Sequence, residues 1–147
     1  MTENSLAEPV FSAVLDTLIP SRDAELPGAG SLGLGAYVEE RLGEGVALVA
    51  AGLETVEALA RERGAGAFAD LPEESRAGLL REAAGAHPGF AESLLFHLYT
   101  GYYLHPRVVE ALGLESRPPH PGGYELELGD LDLLDPVRER TRFYRET

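Results

Sequence analysis

Cysteine is absent from all 147 residues, which excludes disulfide staples, thiolate metal ligands and thiol nucleophiles together. The absence fits a reducing compartment. Lysine is absent as well: the twelve basic residues are all arginine, set against 25 acidic ones, for a net charge of −13. A chain of that charge lacks the clustered positive surface that phosphate backbones and anionic lipids require, so nucleic acid and membrane surfaces are excluded as partners. Nor is there an apolar run near the ~20 residues that span a bilayer. Met1-Thr2-Glu3-Asn4-Ser5 has neither a positive region nor an apolar stretch, which predicts a cytoplasmic protein without a signal peptide.

Catalytic signatures are missing in the same way. There is no G-x-S-x-G elbow and no Walker loop. Gly28-Ala29-Gly30-Ser31-Leu32-Gly33-Leu34-Gly35 is rich in glycine, but no strand precedes it, so it is a loop entering a helix and not a dinucleotide site. Glu125, Glu127, Asp130, Asp132 and Asp135 crowd eleven residues without the glycine and closing glutamate of a calcium loop. They read as a solvated arm, or one paired with the arginines of the last ten residues, Arg138, Arg140, Arg142 and Arg145.

What is present is helical periodicity. Val10, Val14 and Leu18 with Phe11, Leu15 and Ile19 make one stripe over residues 6–19, stopped by Pro20. Ser31 is placed to cap a second helix running through Tyr37 to Leu42, which Gly43 and Gly45 break. Val46, Val49, Ala50, Leu53, Val56 and Ala60 form the clearest amphipathic stripe, with Glu54, Glu57 and Arg61 outside it. Phe68 and Leu71 read as core anchors in the connection after Gly64-Ala65-Gly66. Pro72-Glu73-Glu74 suits the first turn of a fourth helix. A fifth runs from Phe90 to about Leu104, ended at His105 by Pro106, and a short sixth follows up to Leu112-Gly113. Beyond Arg117, prolines and glycines give way to Glu125-Leu126-Glu127-Leu128, an extended arm, and Asp135-Pro136 caps a last short helix. The expected fold is all-α: one domain over residues 1–147, with a compact bundle of five to six helices in 1–116 and a wrapped carboxy-terminal arm in 117–147.

The segment from Phe96 to Arg107 holds three of the six tyrosines and two of the four histidines. On a helical wheel His97 falls with Phe90, Leu94 and Gly101, so His97, Tyr102 and Tyr103 are expected to be largely buried. His97 could serve there as a base or a ligand; the plainer expectation is a core histidine hydrogen-bonded to a carbonyl or a tyrosine hydroxyl. Gly101, one turn on, leaves room for a close helix crossing or a ligand. His97 and His105 stand about 12 Å apart on a continuous helix, too far to share a metal, and no metal site is expected. A ligand site in this segment would use Phe96, His97, Tyr99, Tyr102 and His105. A catalytic one would use His97 as base, Tyr102 or Tyr103 as donor and Arg107 as anion stabiliser.

Asp16-Thr17-Leu18-Ile19-Pro20, then Pro27-Gly28-Ala29 and the helix through Tyr37, together with Gly101-Tyr102-Tyr103, His105-Pro106 and Pro121-Gly122-Gly123-Tyr124, resemble the signatures of the gluconate 2-dehydrogenase subunit 3 family. The likeness covers residues 6–40 and 90–124. It implies a small, non-catalytic accessory subunit that binds and stabilises a larger FAD-dependent alcohol or sugar dehydrogenase of the glucose-methanol-choline type, with the flavin and catalytic histidine in that large subunit and no cofactor on this chain. A second copy of the chain is a further expected partner. The alternative is a stand-alone helical protein, or a cofactor-independent enzyme, that binds an apolar or aromatic molecule between helices.

Overall fold

Val10, Phe11, Val14 and Leu15 are buried along one side of the first helix, α1 (Glu8–Leu18), and the rest of the bundle is built on that stripe. The structure is a computed structural model and describes residues 6, 8–22, 26–115, 123 and 129–141. It divides into two units, Met1–Ser116 and Arg117–Thr147. Among the described residues there is no strand, and the protein is all-α.

In the first unit α1 is followed by α2 (Gly35–Leu42), α3 (Val46–Glu62), α4 (Glu73–Ala86), α5 (Phe90–Leu104) and α6 (Pro106–Ala111). Helix α3 buries Val49, Leu53, Val56 and Ala60 as its periodicity predicts, while Val46 and Ala50 are half-buried. Gly52 of α3 is buried too, and a Cβ there would lie 2.4 Å from the ring of Phe90. The missing side chain is what lets α3 and α5 close upon each other. Phe68, in a single 3₁₀ turn (Phe68–Asp70), is fully buried. Its N–H donates to Glu57 Oε1 at 3.2 Å, so Glu57 anchors that turn as well as facing outward from α3.

Ser31 does not cap α2. The helix begins at Gly35 with Leu34 before it and no side-chain cap, because Ser31 is engaged elsewhere, as described below. Helix α5 begins after Gly89, whose φ of +90° explains glycine there, and ends as expected: His105 is extended, with Pro106 opening α6. In the second unit a 3₁₀ turn (Leu131–Leu134) leads into α7 (Asp135–Arg138). Arg138 Nη1 pairs with Asp135 Oδ1 at 2.8 Å, one link between the acidic run and the basic tip. Glu125-Leu126-Glu127-Leu128, His120 and Arg142 and Arg145 lie outside the described residues.

Candidate functional site

Asp16 stands in the last turn of α1, where a carboxylate faces the negative end of the helix dipole and gains nothing locally. Its partners come from the loop. Ser31 donates its N–H to Oδ1 at 3.0 Å and its hydroxyl to Oδ2 at 3.1 Å. The loop also returns to the helix end through Ala29 N–H, which donates to the Ile19 carbonyl at 3.0 Å. This approach needs glycine twice: a Cβ on Gly28 would lie 2.2 Å from Asp16 Oδ1, and one on Gly30 would lie 2.1 Å from the Ser12 carbonyl oxygen. The glycine-rich stretch is thus a clasp on α1.

Helix α5 closes on the same place. The Tyr102 hydroxyl donates to the Pro27 carbonyl at 3.0 Å across 75 residues, and Tyr102 is only 4% exposed. One residue earlier, a Cβ on Gly101 would lie 2.7 Å from the Tyr37 ring of α2. Close helix packing is therefore the work of Gly101. Another group lies over the Tyr37 ring, the Arg41 guanidinium, 3.6 Å from its centroid. Tyr102→Phe is expected to lower stability by about 0.5–1.5 kcal/mol through the loss of the Pro27 bond; an unchanged urea midpoint would show that the clasp contributes no stability.

The remaining aromatic residues face the other way, which corrects the wheel. The buried arc of α5 runs through Phe90, Leu94, Leu98, Gly101 and Tyr102. Tyr103 lies about 100° beyond Tyr102 and is 55% exposed, and Phe96 is 71% exposed. His97 sits at the edge of the arc, half-buried, with its ring edge-to-face on Phe96 at 5.2 Å. Among the described residues its ring makes no hydrogen bond, so the expected carbonyl or tyrosine partner is not there. Tyr99 and Tyr103 stack on the outer face with centroids 6.3 Å apart. Phe96, Tyr99 and Tyr103, spaced i, i+3, i+7, thus form an exposed aromatic stripe with Leu104 beside it.

Beside the stripe is a groove of about 370 Å³. One wall is Leu18, Ile19, Pro20 and Leu26 from the end of α1 and its loop; the other is Tyr99, Tyr102 and Tyr103. Leu112 and the exposed Arg22 complete it. Of the candidate residues, the groove brings together Tyr99, Tyr102 and Tyr103. Phe96, His97, His105 and Arg107 are not among its lining. Arg107 is exposed on α6, and His105 holds the α5–α6 junction, its carbonyl accepting from Val108 and Val109 N–H at 2.9 and 3.0 Å. Among the described residues no group of three or more His, Asp or Glu could hold a metal ion.

The two segments that meet in the clasp are also the two that carried the resemblance, and the model of one protein family, gluconate 2-dehydrogenase subunit 3, matches residues 7–122. The chain belongs to that family. The match takes in the middle helices, the first signature and the second as far as Gly122, so the membership covers all six helices of that unit. For the gluconate 2-dehydrogenase subunit 3 fold, the structure gives the signature residues a physical meaning: Asp16, Gly28 and Tyr102 fasten the first loop to α1 and α5, and Tyr37 and Gly101 pack α2 against α5. No curated protein and no solved structure matches the chain.

Proposed function

We infer that the chain is a non-catalytic accessory subunit that binds and stabilises a larger FAD-dependent alcohol or sugar dehydrogenase, and that the outer face of α5 is where it binds. The observation that carries this reading is the exposed aromatic stripe. Three aromatic side chains on one helix face, two of them about half exposed and one more so, are what monomers avoid and interfaces enrich. Family membership supports a dehydrogenase as the partner, since the family is named for a subunit of one. The flavin and the catalytic machinery belong to that partner in this reading. No helix among the described residues is long and apolar enough to cross a membrane.

The division of labour is directly measurable. The isolated chain is expected to retain no flavin and to oxidise neither alcohols nor sugars, while a co-expressed large subunit does both and loses stability when this chain is withheld. Turnover by the isolated chain would contradict the accessory role. The groove supports a second reading, a stand-alone protein that takes an apolar or aromatic molecule between helices, because about 370 Å³ lies at the lower end of small-ligand sites. The stripe favours the first, since a small ligand in the groove would leave Phe96 and Leu104 uncovered.

A further inference from the structure

The groove and the stripe share Tyr99 and Tyr103, so whatever covers the stripe also reaches the groove. Three features define what fits inside. Its volume suits a single large side chain. Its walls are aliphatic on the α1 side and aromatic on the α5 side, which selects a flat or branched apolar body. Its described lining contains one charged residue, and that residue is a cation, Arg22, on a chain of net charge −13. Arg22 is held at the groove by its backbone, whose N–H donates to the Leu26 carbonyl at 3.2 Å. Among the described residues its guanidinium has no ion-pair partner, a condition it shares with Arg76, Arg81, Arg107 and Arg140; what sets Arg22 apart is its place on the groove.

We propose that this groove is a socket for an anchor on the partner's chain, an aromatic or branched apolar side chain with a carboxylate beside it, the apolar body lying between Ile19 and Tyr103 and the carboxylate meeting Arg22. The proposal rests on the docking reading above and specifies its chemistry. Interfaces concentrate their energy in aromatic anchors that fill pockets, and an arginine at the pocket edge sets which anchor is accepted.

The test uses the full chain and three small probes followed by two-dimensional NMR: N-acetyltryptophan, its carboxamide, and N-acetylglutamate. N-acetyltryptophan is expected to shift the signals of Ile19, Tyr99, Tyr103 and Leu112, and to bind roughly two- to five-fold more tightly than the carboxamide, the range of an exposed ion pair. N-acetylglutamate, lacking the apolar body, is expected to leave those signals in place. Arg22→Gln should abolish the preference for the acid while leaving the weaker apolar binding. Equal binding of acid and amide, or a preference that survives Arg22→Gln, overturns the socket. The assignment to a partner is judged separately on the co-purified pair, where N-acetyltryptophan should no longer reach the groove. Full-strength binding there overturns that assignment and points to a free aromatic acid. If no pair forms, the docking reading fails, and the acid–amide comparison on the isolated chain still decides the socket.

Discussion

Gly52→Ala is expected to destabilise the protein by about 1–3 kcal/mol, although alanine is the better helix former. The added methyl would stand 2.4–2.6 Å from three atoms of the Phe90 ring, and that ring is fully buried and has nowhere to move. Relief requires α3 and α5 to separate, and α5 carries both the clasp and the aromatic stripe. Gly78 gives the internal control. It lies within α4, where a Cβ would meet nothing within 4 Å, so Gly78→Ala should stabilise by about 0.5–1 kcal/mol. Urea unfolding of the two variants checks the pair: opposite signs are expected, with unchanged slopes. A neutral Gly52→Ala would mean that the α3–α5 crossing is looser than the structure has it.

The second large effect is on binding. Replacing Phe96 and Tyr103 together by glutamate adds two negative charges to an exposed face and removes its apolar area. Neither side chain belongs to the core, so the melting temperature should move little. Together they are expected to act as an interface anchor worth about 2 kcal/mol or more, so affinity for the large subunit should fall by roughly thirty-fold or more. A control on another helix, Glu54→Arg on the exposed face of α3, should leave that affinity unchanged. Normal binding by the double variant would remove α5 from the interface.

The fold was legible in the sequence because α1 and α3 each carry one apolar stripe and because the stop signals have definite chemistry: Pro20, Gly64 and Pro106 end helices where the structure ends them. Ser31 misled, since a serine before an apolar run looks like a cap. Its true partner is Asp16, fifteen residues away, and no local rule reaches that far. A signal was nonetheless available, an acid at the wrong end of a helix dipole, which asks for donors from elsewhere. Helix α5 misled differently. It is apolar nearly all round, so the wheel could not rank its faces. The bundle chose the arc of Phe90, Leu94 and Leu98 and left Phe96, Tyr99 and Tyr103 outside. The expected burial of the aromatic segment was reversed for Tyr103 and overstated for His97. Gly52 gave no warning, because a glycine inside a helix shows its reason only when the facing ring is seen. Gly101 could be anticipated because it falls one turn from His97 on a face already expected to pack.

The most direct test of the account is co-purification of the untagged chain with a tagged FAD-dependent dehydrogenase encoded beside it, followed by amide hydrogen exchange on the complex. The account predicts a stoichiometric pair in which protection rises along α5 from Phe96 to Leu104 and in the loop around Pro20 and Leu26, with little change on the outer face of α4. No complex, or a complex whose protection falls on α4 and leaves α5 exchanging as in the free chain, would contradict it.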